Sequence, residues 1–466
     1  MNIGFITLGC DKNTVDSERY LAQLIDQGAR HSVNLEEADV IVINTCGFID
    51  AAKQESIDAI VEAGRLKRLG VCRTVVAVGC MVERHKVELA TELPEVDLFL
   101  GASEMDRLVP ALREHGILTG ASLEAVHPGV RLYVGDLPHV RYLKISEGCD
   151  HGCAFCAIPL MRGKHRSFAL DQVVHEAQLL ELQGAREVNL VAQDLAHFGR
   201  DRRDGQGLPE LIEALLANTS IPWFRLLYVY SAGLTPRLLE VMAREPRVVP
   251  YLDIPIQHGS DAVLARMRRP ERAATIRACV SRLRGAVPDV AVRTTCIVGF
   301  PGETEDDFSR LCDLLDEVRF DRVGAFTYSA QEGTRAAEYP DDVPAELKRD
   351  RLDRLTDLQR AVGAERAERL VGRTVPAIVD RAAARGRRAE GRLLWQADDI
   401  DGVTYFDGPA APGSMVECVV TSVENDDDFA ARVSRVTHAP APTPRAGPRA
   451  RALPVLSGVT NGSYGR

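Results

Sequence analysis

The sequence predicts an α/β protein in three parts: an N-terminal doubly wound parallel sheet, a central partial (β/α)6 barrel and a small C-terminal all-β barrel. Three observations carry this. Short β-branched and aliphatic runs alternate with longer helical patterns as far as about residue 365, the rhythm of parallel sheets covered by helices. Those runs are apolar throughout, as strands buried on both faces are. After Arg373 the pattern changes to five short strands parted by Gly, Asp and Pro, which suits a small closed barrel.

A chain of 466 residues holds two to four domains, taking roughly 100–200 residues for each. Its net charge of -10 argues against a general grip on nucleic-acid phosphates and permits a basic protein partner. No apolar run approaches the roughly 18 residues of a membrane span. The N-terminus enters a strand pattern at once, without a secretory signal, so a cytoplasmic protein is expected. Eleven cysteines in such a chain read as metal ligands and buried thiols rather than disulfides.

In residues 1–120, strands are expected at 3–8, 38–46, 74–80 and 96–100, with helices near 51–66 and 105–115. Cys10, Cys46 and Cys80 each fall at the carboxyl end of a strand. In an open α/β sheet those ends form one rim, where ligands bind. One such cysteine would read as a small buried thiol. Three at equivalent positions read as a three-thiolate cluster site. Cys72 has no such partner and reads as structural.

Residues 135–365 carry six β/α units, with strands at 141–146, 187–192, 223–229, 249–256, 290–298 and 321–328. A complete barrel has about eight. After the first strand comes Cys149-Asp150-His151-Gly152-Cys153-Ala154-Phe155-Cys156. Three thiolates are too few for a closed structural zinc site, but they suit an iron–sulfur cluster with one iron left open. The loop after a strand is also where barrel chemistry sits. Gly299 and Gly302, after the fifth strand, let backbone approach a ligand. Glu303 and Glu305 there equally suit a helix N-terminus. His258, Gln193 and Asp194 also stand at strand ends; a lone His is more often structural. Cys279, Cys296 and Cys312 read as core thiols.

In the last part, strands are expected at 375–379, 390–395, 403–406, 414–421 and 429–436, after a helix over 361–370. Residues 372–437 hold eight Lys/Arg against eleven Asp/Glu. Asp398, Asp399 and Asp401, and Glu424 with Asp426, Asp427 and Asp428, read individually as two solvated acidic turns. As a domain-level signal, acid favours a basic protein over RNA. Residues 439–466, rich in Pro, Gly and Arg, are expected to be disordered.

Taken together, these motifs resemble a known family. Cys149-x₃-Cys153-x₂-Cys156, with Phe155 before the last cysteine, resembles the radical S-adenosylmethionine (SAM) superfamily. Joined to Cys10, Cys46 and Cys80 and a small β-barrel, it resembles the methylthiotransferases. Residues 8–18, 44–50, 143–149, 156–159, 162–167, 256–258 and 298–304 look like the branch that modifies a ribosomal protein, and the resemblance spans about residues 1–437. It departs at Phe168-Ala169, where Arg-Pro is expected, and at Ser231-Ala232, where Pro is expected.

The resemblance implies a radical SAM core over 135–365 and a TRAM-like barrel over 370–437. It implies two [4Fe-4S] clusters, one on Cys149, Cys153 and Cys156 that binds SAM, and an auxiliary one on Cys10, Cys46 and Cys80 that offers sulfur. Phe155, Gly299, Gly302 and Glu303 are then candidates for shaping the SAM pocket. The implied reaction methylthiolates the β-carbon of an aspartate on the twelfth small-subunit ribosomal protein, using two SAM. A reductant such as a flavodoxin or ferredoxin would supply electrons, and no direct tRNA substrate is expected. Two alternatives stand beside this reading: a tRNA adenosine methylthiotransferase, and a non-catalytic iron–sulfur carrier. A carrier needs neither a six-unit barrel nor a Gly-rich loop. The linker around 128–138 and the C-terminal barrel are expected to hold the domains at their working angle.

Overall fold

A computed structural model describes residues 1–118, 131–133, 135, 137–384 and 386–440. Residues 128–130, 134 and 136 of the expected linker lie outside the described residues, as do residues 441–466 of the tail expected to be disordered.

The first sheet comprises β1 (Asn2–Thr7), β2 (Arg30–His31), β3 (Val40–Thr45), β4 (Thr74–Gly79) and β5 (Leu98–Gly101), in the order β2-β1-β3-β4-β5. All pairings are parallel. Alternate residues of each strand serve opposite faces. Ile3, Phe5, Val40, Val42, Val76 and Val78 pack with Tyr20, Leu21 and Leu24 of helix Asp11–Asp26 and Leu108 and Leu112 of helix Leu108–Glu114. Ile6, Ile41, Ile43 and Val75 pack on the other side with Ile60 and Leu66 of helix Asp50–Arg68 and Val82 of helix Cys80–Glu92. Two covered faces explain why these strands read as unbroken apolar runs. The two-residue β2 is too short to show a period and was not expected.

The second unit contains β6 (Val140–Lys144), β7 (Ser146–Glu147), β8 (Arg166–Ser167), β9 (Glu187–Val191), β10 (Trp223–Leu226), β11 (Val248–Asp253), β12 (Ala291–Val298) and β13 (Arg322–Thr327). Six of these make a parallel sheet in the order β13-β12-β11-β10-β9-β6, an open barrel wall. β7 and β8 form a separate antiparallel pair. Helix Leu170–Leu182, which the sequence reading did not delimit, makes the first crossover.

Helix Ala345–Glu368 leads to the third unit. There β14 (Thr374–Arg381), β15 (Ala389–Leu393), β16 (Thr404–Asp407), β17 (Met415–Val423) and β18 (Phe429–His438) close a barrel. It packs against the second sheet: Val191, Trp223, Val249 and Tyr251 share one apolar core with Ala377, Leu393, Trp395 and Phe406. Buried ion pairs reinforce the contact. Arg392 joins Glu187 at 2.7 Å and Asp380 at 2.8 Å, and Asp380 also shares a hydrogen bond with His139 Nε2 at 2.9 Å.

The acidic residues of this barrel correct one expectation. They are not simply solvated turns. Asp401 is buried and pairs with Arg322 of β13 at 3.0 Å. Asp428 accepts the Val403 N–H at 2.7 Å, and Asp426 pairs with Arg360 at 2.7 Å. Asp401 and Asp426 read as exposed because their arginine partners lie far away along the chain, and Asp428 because its partner is a backbone N–H.

Candidate functional site

Two thiol triads lie on neighbouring loops. The first sits on the carboxyl rim of the N-terminal sheet. Cys10 follows β1, Cys46 follows β3, and Cys80 opens the helix after β4. The loops touch: a Cβ at Gly9, whose φ is +90°, would lie 2.9 Å from Cys46 Sγ, so this position needs glycine. Asn13 clamps them, donating from Nδ2 to the carbonyls of Leu8 (2.8 Å) and Thr45 (3.1 Å). Asn44 donates to the Asn13 carbonyl at 2.9 Å, and Ser56 Oγ accepts the Cys46 N–H at 2.9 Å. These supporting polar residues were not singled out from the sequence, although Asn13 and Asn44 lie in the stretches that carry the resemblance.

Burial pushes the Cys46 thiol up to about 12 and the Cys80 thiol up to about 11; the neighbouring Cys10 adds to both shifts. Three thiols gathered on one rim within electrostatic reach of one another form a donor set that a metal centre can bind as thiolates, neutralising their charge. The donor set is therefore chemically suited to a three-thiolate iron–sulfur cluster.

The second triad lies on the loop after β7. The β7–β8 pair ties the loop's base through Ser146 opposite Ser167 and Glu147 opposite Arg166. The Cys149 N–H donates to the Gly163 carbonyl at 3.1 Å, and the Ala154 N–H donates to that of Met267 at 2.9 Å. At Gly148, with φ of +76°, any Cβ would collide with the Lys164 carbonyl. Burial pushes Cys156 up to about 12 and Cys149 up to about 11, and Cys153 raises both further. Burial also raises Cys153, an effect that Arg269 opposes. These three thiols also lie within electrostatic reach of one another and make a donor set of the same kind.

Around this loop, Asp194 Oδ2 bonds His151 Nε2 at 2.8 Å and His197 Nδ1 at 2.5 Å. Burial opposes ionisation of Asp194, but the two imidazoles outweigh it and hold the carboxyl at about 2. Gln193 donates to Glu147 Oε1 at 3.3 Å. Phe155 joins the apolar cluster of Ala154, Met267, Phe300 and Tyr328. Gly299 packs against Lys348, while the Gly302 N–H donates to Asp342 at 2.7 Å. Glu303 is buried, accepting from Arg351 Nη1 at 3.0 Å and from the Phe300 N–H at 3.2 Å, with His258 Nε2 3.4 Å away. The His258–Glu303 pair is thus part of the scaffold beneath the Gly-rich loop.

Arg162 connects the triads. It ends helix Ile158–Arg162, which starts two residues after Cys156. Its Nε donates to Cys80 Sγ at 3.1 Å, Nη1 to Asp16 at 2.6 Å and Nη2 to Asn13 Oδ1 at 2.5 Å. Lys144 bonds both Asp16 and Glu147. Burial works against the Asp16 carboxylate, yet Lys144 and Arg162 hold it at about 2. Ala157, Ile158 and Met161 pack on Cys80. The same interface holds Arg131, which pairs with Glu176 at 3.0 Å and Glu18 at 3.5 Å, and Arg141, which pairs with Glu18 at 3.3 Å. No long-range charge pair of this kind was legible in the sequence. From the rim, Lys12 Nζ stands 3.3 Å above the Tyr228 ring. Nearby in the barrel wall, Asp253 is buried with neither carboxylate oxygen hydrogen-bonded among the described residues.

Comparison with known proteins fits this layout. Residues 2–101 match "Uncharacterized protein family UPF0004", residues 143–315 the radical SAM superfamily and residues 371–433 the TRAM domain. The ribosomal protein uS12 methylthiotransferase RimO of Anaeromyxobacter sp. (strain Fw109-5) is 44% identical over 461 residues, covering 97% of this chain and 98% of that protein. RimO of Symbiobacterium thermophilum is 42% identical, covering 92% and 90%. Among solved structures, the radical SAM methyltransferase TsrM of Kitasatospora setae shares the fold, with a TM-score of 0.51 at 14% identity over 80% of this chain and 78% of its own. The open six-stranded barrel wall, the closed C-terminal barrel and full-length identity above two-fifths lead to one conclusion: this chain belongs to the RimO family of ribosomal protein uS12 methylthiotransferases.

Proposed function

We propose that this chain is a radical SAM methylthiotransferase acting on ribosomal protein uS12, and that it modifies the β-carbon of an aspartate. Full-length similarity to RimO carries the reading. The pair of three-thiol sets on one junction supports its chemistry, because methylthiolation needs both a radical source and a sulfur source. When bound, SAM and two [4Fe-4S] clusters would supply a carbon-centred radical, a sulfur atom and a methyl group.

The residues of this chain do the remaining work. Cys149, Cys153 and Cys156 hold the cluster that takes SAM. Cys10, Cys46 and Cys80 hold the second. Phe155, beside Phe300 and the loop through Gly299, Gly302 and Glu303, shapes a wall for SAM and keeps water from it. The clamp of Asn13, Asp16, Lys144 and Arg162 fixes the two loops so that a substrate carbon between them meets both. The net charge of -10 suits a basic ribosomal protein, and a small low-potential reductant such as a flavodoxin or ferredoxin supplies electrons.

Mass spectrometry of uS12 and of digested tRNA from a strain lacking this protein tests the reading. The methylthio mass on uS12 should disappear, with tRNA unchanged. Loss from tRNA with uS12 intact would overturn it in favour of the tRNA branch.

A further inference from the structure

Of the three thiols in the second triad, Cys153 stands apart. Its Sγ lies 2.9 Å from Tyr230 Oη and 3.9 Å from Arg269 Nη1. Among the described residues, no side-chain hydrogen bond reaches Cys149 or Cys156 Sγ.

The Tyr230 ring is held on both faces. His151 stacks on one at 3.8 Å and 7°. The Arg269 guanidinium covers the other at 3.9 Å. Each plate has its own anchor. Asp194 fixes His151 and also accepts the Tyr230 N–H at 3.3 Å. Arg269 is fixed by the Pro255 carbonyl at 2.6 Å and by Glu271 at 3.1 Å, and Glu271 accepts the Ser231 hydroxyl at 3.0 Å. So supported, the ring aims its hydroxyl at a single sulfur.

We propose that Tyr230 is a positioning residue that donates a hydrogen bond to the Cys153 thiolate of the loaded triad and thereby raises that cluster's reduction potential. The inference rests on the assignment of Cys149, Cys153 and Cys156 as cluster ligands. A thiolate ligand carries no proton, so the phenol must be the donor in this pair. Donors to cluster sulfurs stabilise the extra negative charge of the reduced state, and hydrogen bonding is one of the main controls on such potentials. Arg269 adds positive charge on the same side. The arrangement eases entry of the one electron, taken from an external low-potential donor, that precedes SAM cleavage.

The test is a redox titration of the anaerobically reconstituted full chain without SAM, followed by electron paramagnetic resonance. Y230F removes one oxygen and keeps the stacked ring. It should retain wild-type iron content while the midpoint of the triad cluster becomes more negative and that of the other cluster stays in place. R269Q should move the same midpoint in the same direction. A Y230F midpoint equal to wild type would overturn the proposal. So would loss of the triad cluster in Y230F, because a tuning hydroxyl is not required for assembly. A C149A/C153A/C156A variant that kept both signals would instead overturn the ligand assignment.

Discussion

Arg162 Nε lies 3.1 Å from Cys80 Sγ, although the two residues belong to different domains and sit on the loops of different thiol triads. Arg162 has little freedom, because Asp16, Asn13 and Glu147 hold the rest of its guanidinium. R162Q should therefore act on the relation between the sites. It leaves Asp16 and Glu147 with Lys144 as their remaining cation, at a cost of about 3 kcal/mol. The expected result is a lower melting temperature and a larger ratio of 5′-deoxyadenosine to methylthiolated uS12. A coupled assay that measures both products checks this.

The triads should be separable by mutation. C10A/C46A/C80A should lose about half of the reconstituted iron, on the basis of four irons per cluster. It should keep SAM cleavage and lose methylthiolation. The C149A/C153A/C156A variant should lose a similar share of iron together with SAM cleavage. Iron and sulfide analysis with product chromatography distinguishes the two outcomes.

Gly148 offers a backbone test of the second triad. Its positive φ and the nearby Lys164 carbonyl leave no room for a side chain. G148A should destabilise the protein by about 1–3 kcal/mol. Because the distortion begins one residue before Cys149, cluster loading should fall with it. Thermal melts and iron content of the reconstituted variant provide the measurement.

Asp253 gives a pH dependence of stability. Burial pushes its carboxyl up to about 6, against the pull of nearby Arg293 and Lys12 and with the support of Asp401 and Asp11. Tyr251 and Tyr228 complete its polar surroundings. The folded pKa lies above the unfolded one, so the sign is that of a group preferring its proton in the folded state. At pH 4 and below the penalty is absent; it grows as pH rises toward 6 and is complete above. Its size is on the order of 3 kcal/mol. D253N should melt above wild type at pH 7–8, with the gap closing toward pH 4. A constant gap would contradict this account.

What the sequence made legible follows from range. The strands of both sheets stood out because double burial makes each an apolar run, and the cysteines stood out because a strand end followed by a turn is a local signal. Six barrel strands were placed close to their observed bounds for that reason. The clamp around Arg162 was not legible. Arg162 and Cys80 are 82 positions apart, and Arg131 and Glu18 are more than a hundred. Nothing in a local window distinguishes an arginine that will be buried against a distant carboxylate from one that faces water. The same blindness made Asp401, the partner of Arg322, look solvated. Arg131, within the segment read as the linker, pairs with Glu18 of the N-terminal helix and with Glu176 of the first crossover helix.

The seat of the C-terminal barrel has a modular consequence. Trp223, Val249 and Tyr251 share a core with it, and Glu187 is compensated jointly by Arg225 from its own sheet and Arg392 from the barrel. The barrel is therefore the floor of the radical SAM unit rather than a detachable adaptor. A chain cut before Arg373 would present a wet apolar plate and a carboxylate with half its partners gone. Grafting a foreign barrel onto this core would require rewriting the floor on both sides at once. Exchange of substrate specificity among such enzymes should be easier through loops at the mouth than through wholesale domain swaps.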